Sequence, residues 1–152
     1  MKNNNKLTKV LSGVAGEYYV AAELSKRGYV ASITLRNTRG IDILCTNEET
    51  YKAVNIQVKT NQGPERSWIL GEKAENEKDN NLFYVFVCLN GGDKHPNFFV
   101  VPSNDVARYT KETNDEFLNT LGKKGQQRKP NSIRNFKDYE EKYINRWDLL
   151  NI

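Results

Sequence analysis

Thr38-Arg39-Gly40-Ile41-Asp42-Ile43-Leu44, followed one connection later by Asn55-Ile56-Gln57-Val58-Lys59-Thr60, decides the fold of this 152-residue chain. Ile41–Thr46 reads as a short buried strand, and Asn47-Glu48-Glu49-Thr50 has the length of a hairpin connection. Tyr51–Thr60 alternates: Val54, Ile56 and Val58 face one way, Asn55, Gln57 and Lys59 the other. An acid on one strand and a Gln-x-Lys on the next can therefore meet on one sheet face. Aspartate is depleted in strands, and burying an unpaired carboxylate is costly. Asp42, between Ile41 and Ile43, thus needs a partner. Oxygen donors beside a lysine suit a divalent metal ion and an attacked phosphate.

Toward the N-terminus, residues 1–6 are polar and expected to fray. From Leu7 to Arg27 apolar residues recur at helical spacing, and Gly28 supplies a left-handed stop. Ser12 offers an alternative helix start as a cap. Glu17 lies on this helix. A strand is expected over Val30–Leu35, then a loop, 36–40, carrying Arg36 and Arg39.

Toward the C-terminus, Asn61–Arg66 reads as a loop and Trp68–Leu70 as a short strand. The charged Glu72–Asn81 is open to two readings, a helical turn or a solvated loop. Leu82–Leu89 is nearly continuously apolar, as in a central strand covered on both faces. Phe98–Val101 is a strand that Pro102 ends, and Ser103 is placed to cap a helix running to about Leu118. Gly122–Pro130 is basic and loop-like. Asp138-Tyr139-Glu140-Glu141 reads as the start of a last helix, with Tyr139, Tyr143, Trp147 and Leu150 as its apolar stripe. A helix, a three-strand meander and further strands and helices imply one α/β domain over 1–152, with a central mixed β-sheet flanked by helices.

The order Glu17, Gly40-Ile41-Asp42, Ile56-Gln57-Val58-Lys59 resembles the PD-(D/E)XK nuclease superfamily, in the flavour of Holliday-junction resolvases and small restriction-like enzymes. The resemblance covers residues 13–60. It implies a restriction-endonuclease-like core and a metal-dependent endonuclease acting on DNA with Mg2+ or Mn2+. The implied metal ligands are Asp42, Gln57 through its amide oxygen, the Val58 carbonyl and Glu17, with Lys59 orienting the attacking water. The superfamily usually carries a second carboxylate where this chain has Gln57, and Ile41 stands at the motif's proline. A homodimer is among the assemblies the resemblance implies. Two rivals stay open: a nuclease-fold module that binds nucleic acid or a protein without cutting, and a nuclease acting on RNA.

Each residue also has a plainer reading. Glu17 and Lys59, taken singly, read as solvated helix and strand residues. Arg36 and Arg39 suit a phosphate clamp or structural salt bridges. Lys123, Lys124, Arg128, Lys129, Arg134 and Lys137 lie in a stretch without an acid, suited to phosphate contacts or to a solvated loop. His95, the only histidine, has no ligating neighbour in sequence, which leaves histidine-based catalysis without support. No phosphate-cradling glycine motif suggests ATP use. The net charge of +4 permits nucleic-acid binding without demanding it. Met1-Lys2-Asn3-Asn4-Asn5-Lys6 lacks a secretory signal's apolar stretch, and no run approaches the roughly 18 apolar residues of a span. Cys45 and Cys88 read as small buried hydrophobes of a reducing cytoplasm, with a disulfide allowed by count.

Overall fold

The computed structural model describes residues 6–35 and 40–152. Helix α1 (Lys9–Lys26) precedes strands β1 (Val30–Ile33), β2 (Ile43–Thr46) and β3 (Ala53–Asn61). Strand β4 (Ser67–Gly71), a 3-10 turn (Glu72–Glu75), β5 (Leu82–Cys88) and β6 (Asn97–Pro102) follow. Helix α2 (Ser103–Asn119), strand β7 (Ile133–Lys137) and a 3-10 turn (Trp147–Leu150) complete the chain. The main sheet has the order β1-β2-β3-β5-β6; only β3 and β5 run parallel. This is the expected central mixed sheet, flanked by helices. No helix among the described residues is long and apolar enough to cross a membrane.

Alternation on β3 and β5 sorts side chains into two cores. Val54, Ile56 and Val58 join Phe83, Val85 and Val87 beneath Val20 and Leu24 of α1. Tyr84, Phe86 and Cys88 face the other way, against Trp68, Leu70, Phe136 and Val106. β5 is therefore buried on both faces, as its apolar run requires. Cys45 and Cys88 are free, and burial pushes both thiols up to about 11.

Several local expectations are corrected. Thr8, not Ser12, caps α1: its hydroxyl accepts the Leu11 N–H at 3.2 Å, while the Ser12 hydroxyl donates back to the Thr8 and Lys9 carbonyls. Gly28 does take the left-handed conformation, at φ 87°. Ser103 is the first residue of α2 rather than its cap, and its hydroxyl ties down Asp79 through both N–H and carbonyl. The largest correction is at the C-terminus, where no helix starts at Asp138. The buried Asp138 carboxylate accepts the N–H groups of Lys142 and Tyr143 at 2.9 and 2.8 Å, closing a turn. Left-handed backbone at Glu141 and Asn145 then prevents helix propagation. Tyr143, Trp147 and Leu150 are buried, but Tyr139 is 63% exposed, so the four do not form one stripe. The segment instead runs along β6, with hydrogen bonds from Val100 N–H to the Tyr143 carbonyl and from Asn145 N–H to the Phe98 carbonyl. An otherwise open sheet edge is thereby covered.

α1 packs closely over β3 at Gly16, where an added Cβ would sit 1.9 Å from the Thr60 hydroxyl. Alanine gains up to about 1 kcal/mol of helix propensity. Overpacking costs about 1–3 kcal/mol, so the clash should win. Gly16→Ala should lower stability in urea unfolding, and adding Thr60→Ala should restore part of the loss; a single variant as stable as wild type refutes the close packing. Asp138→Ala leaves two N–H groups without their acceptor and should cost about 1–3 kcal/mol in the same assay. A loss within error would show that the turn does not need the carboxylate.

Candidate active site

β2 and β3 pair only as far as Ile43 and Ile56. One residue earlier the chain bends at Asp42, and the two strands part. The Asp42 N–H still donates to the Ile56 carbonyl at 2.8 Å. The next N–H of β3 on that side, Val58, has no β2 backbone to meet. The Asp42 carboxylate takes it instead, at 2.7 Å through Oδ2. Within a strand, one residue's N–H and C=O point to the same side, so the Val58 carbonyl also faces this gap.

Gln57 and Lys59 leave β3 on the face opposite Val58, across from Tyr84 and Phe86 of β5. Both are half-buried, and they line a groove of about 640 Å³ with Gly40, Leu70, Gly71, Tyr84 and Ser132. Glu17 and Asp42 line a separate cleft of about 260 Å³ between α1 and Thr34–Leu35, the residues that follow β1. The expected meeting on one sheet face is not what the structure has: Asp42 lies just before β2 and shares its cleft with Glu17, while Gln57 and Lys59 line the groove on the face away from α1. Arg36 and Arg39 lie outside the described residues.

Of the basic stretch, Lys123, Lys124 and Lys129 are exposed in the connection between α2 and β7. The Arg128 guanidinium sits 4.4 Å from the centre of the Phe117 ring. Arg134 is no loop cation: it is buried in β7 and paired with Glu75. His95 stands away from the groove, 3.9 Å from Glu23.

The sequence reading missed Glu72, Lys73, Glu77, Tyr84 and Ser132, which share the groove with Gln57 and Lys59. Glu72–Asn81, open in sequence to a helical turn or a solvated loop, begins with a 3-10 turn over Glu72–Glu75, and Tyr84 lies inside the apolar run Leu82–Leu89. Burial pushes the Tyr84 hydroxyl up to about 12, and the nearby Glu77 carboxylate adds to the push. The groove therefore holds a neutral phenol beside two lysines, an amide and two carboxylates. Among the described residues no group of three or more His, Cys, Asp or Glu is arranged to hold a metal ion. Asp42 and Glu17 are two carboxylates; the Gln57 amide and the Val58 carbonyl are neutral oxygens. All four are hard donors, which suits a magnesium ion that retains several waters.

No protein-family model matches the sequence, and no curated relative matches it. Solved structures do. The fold is similar to that of a bacterial homing endonuclease, I-Ssp6803I, with a TM-score of 0.57, 16% identity, and coverage of 96% of this chain and 94% of that one. A Holliday junction resolvase, Hjc of Archaeoglobus fulgidus, aligns with a TM-score of 0.48 and 12% identity over 83% of this chain and 84% of that one. At such identities the likeness is one of architecture: this chain has the nuclease-like α/β fold, a mixed five-stranded sheet flanked by helices.

Proposed function

We propose that this chain is a divalent-metal-dependent nuclease that hydrolyses phosphodiester bonds in DNA. The observation that carries the reading is the Asp42 carboxylate, held by the Val58 N–H between Gln57 and Lys59. The nuclease-like architecture shared with a homing endonuclease supports it. Asp42, Glu17, the Gln57 amide oxygen and the Val58 carbonyl would hold Mg2+ or Mn2+. When bound, the ion would supply a water-derived nucleophile and relief of phosphate charge. The Val58 N–H fixes one oxygen of Asp42, which aims the carboxylate without further reorganisation. Lys59 projects into the groove as a compact cation, placed to orient the attacking water and offset charge building on the phosphate. Arg36 and Arg39, just before Asp42, and Lys123, Lys124, Arg128 and Lys129 are the proposed backbone-phosphate contacts.

A second reading is favoured by one observation: Gln57 is uncharged, and among the described residues no third carboxylate joins Asp42 and Glu17. On that reading the chain is a decayed nuclease-fold module that binds nucleic acid or a protein. Cleavage of duplex, branched and single-stranded DNA across a magnesium and manganese titration separates the two. Asp42→Asn is the better test than alanine, because its amide oxygen can still accept the Val58 N–H. It should fold and abolish cutting. Lys59→Ala should slow cutting about 10²–10³-fold while DNA affinity stays near wild type. Gln57→Glu adds a charged ligand and should lower the metal concentration needed. Wild-type rates in Asp42→Asn would refute the assignment. Silence on every substrate, unrelieved by Gln57→Glu, would make the non-cutting module the better account.

A further inference from the structure

β4 leaves the main sheet and pairs with β7 in a separate antiparallel ribbon, from Ser67↔Lys137 to Gly71↔Ile133. Two more hydrogen bonds lengthen it, Asp138 N–H to the Arg66 carbonyl and Glu72 N–H to the Ser132 carbonyl. Its inner face is fixed: Trp68, Leu70, Arg134 and Phe136 are all buried. Phe136 stacks on Phe86 at 4.6 Å, Trp68 lies 4.9 Å from Phe86, and the Trp68 indole N–H donates to the Val87 carbonyl. The outer face has no cover among the described residues. Ile69 is 74% and Ile133 57% exposed, and Asn135 and Lys137 are exposed beside them.

We propose that this ribbon enters the major groove of double-stranded DNA, with Ile69 and Asn135 reading base edges; the placement of the cut rests on the nuclease reading above. Three observations converge. The first is charge. The connection feeding β7 carries Lys123, Lys124, Arg128 and Lys129, and residues 117–137 contain no acid. None of these side chains, nor Lys137, enters an ion pair among the described residues. Charge on that scale beside a ribbon complements phosphate backbone, not an apolar protein surface. The second is shape and chemistry. A two-stranded ribbon fits the major groove, about 12 Å wide. Ile69 and Asn135 are direct cross-strand partners. They pair an apolar group suited to a thymine methyl with an amide suited to the N6 and N7 of adenine. The third is placement. Leu70, Gly71 and Ser132, at one end of the ribbon, are themselves walls of the groove that holds Gln57 and Lys59. A duplex seated on the ribbon therefore runs its backbone past the candidate active site.

The test is selection of preferred sites from a pool of random duplexes without divalent metal, using the full chain and its Ile69→Ala and Asn135→Ala variants. Circular dichroism and melting check that each variant folds. Each substitution should change the base preference at one or two adjacent pairs and weaken binding to the wild-type choice roughly tenfold, leaving the salt slope intact. Methylation of guanine N7 within the selected site should block binding. Replacing Lys123, Lys124, Arg128 and Lys129 by Ala should flatten the salt slope by about one unit per lost phosphate contact and leave the preference unchanged. Unchanged preference and affinity in both ribbon variants overturn the proposal. So does interference only at adenine N3, in the minor groove. So does a result in which Ile69→Asn and Ile133→Asn dissociate a homodimer while duplex affinity persists, since the face would then join copies of the chain. Ribbon-dependent selection without any cutting would leave this proposal standing and remove the nuclease reading. Cutting that needs Asp42 but ignores the ribbon would do the reverse.

Discussion

An interior backbone N–H must have a partner, and Val58 is where this sheet cannot supply one from a neighbouring strand. β2 begins only at Ile43, opposite Ile56, so the Val58 N–H faces a gap; the Asp42 side chain fills it. One hydrogen bond therefore does two things. It ends the β2–β3 ladder without leaving a buried donor, which would cost about 1–3 kcal/mol. It also holds a carboxylate at the point where two strands diverge. A seam of this kind is a good place for chemistry, because the divergence creates space while both strands stay anchored elsewhere in the sheet. Here the anchors are Ile43, Ile56 and Val58 under α1 on one side, and the β3–β5 pairing on the other.

That parallel pairing sets a second constraint. The chain must return from the end of β3 to the start of β5, and parallel neighbours usually manage this with a helix. This chain uses β4 and a 3-10 turn. A lone strand in that position would expose unpaired edges, so it needs a companion, and β7 arrives from the C-terminal side to provide one. The aromatic cluster of Trp68, Phe86 and Phe136 then welds the ribbon to the sheet, because its rings come from both. The crossover that might have been simple packing becomes a wall of the groove above Lys59.

What the sequence disclosed follows from how local each determinant is. β3 was legible because Val54, Ile56 and Val58 alternate with polar residues, and β5 because its apolar run admits burial on both faces. Both patterns lie within one segment. β7 was not, because its buried positions are Arg134 and Phe136. Arg134 becomes acceptable in the interior because its charge is paired with Glu75, 59 positions away in the chain, while the Asn131 and Ile133 carbonyls accept from the same guanidinium. The helix expected from Asp138 failed for a related reason: the same Asp that can start a helix can close a turn, and hydrogen bonds to β6 favoured the turn. Asp42, Gln57 and Lys59 stood out from their spacing, whereas Glu72, Glu77 and Ser132 reach the groove only through the crossover and the ribbon. Their roles could not be read before the topology was known.

The groove also gives a physical account of the amide at position 57. Gln57 lies directly across the parallel ladder from Tyr84, in a space already lined by Glu72 and Glu77. A carboxylate at 57 would add a third negative charge to this half-buried space, with Lys59 and Lys73 as the cations facing it. Like charges gathered in one groove repel unless an ion sits between them. The amide avoids that repulsion in the metal-free protein and keeps an oxygen for coordination. It gives up the charge that would draw a divalent ion in. On the proposed nuclease reading, the burden of attraction would fall on Asp42 and Glu17, and on a phosphate entering with the metal. A site built this way would hold its ion weakly when alone and more firmly once a nucleic-acid backbone supplies further oxygen ligands, which ties metal occupancy to substrate binding.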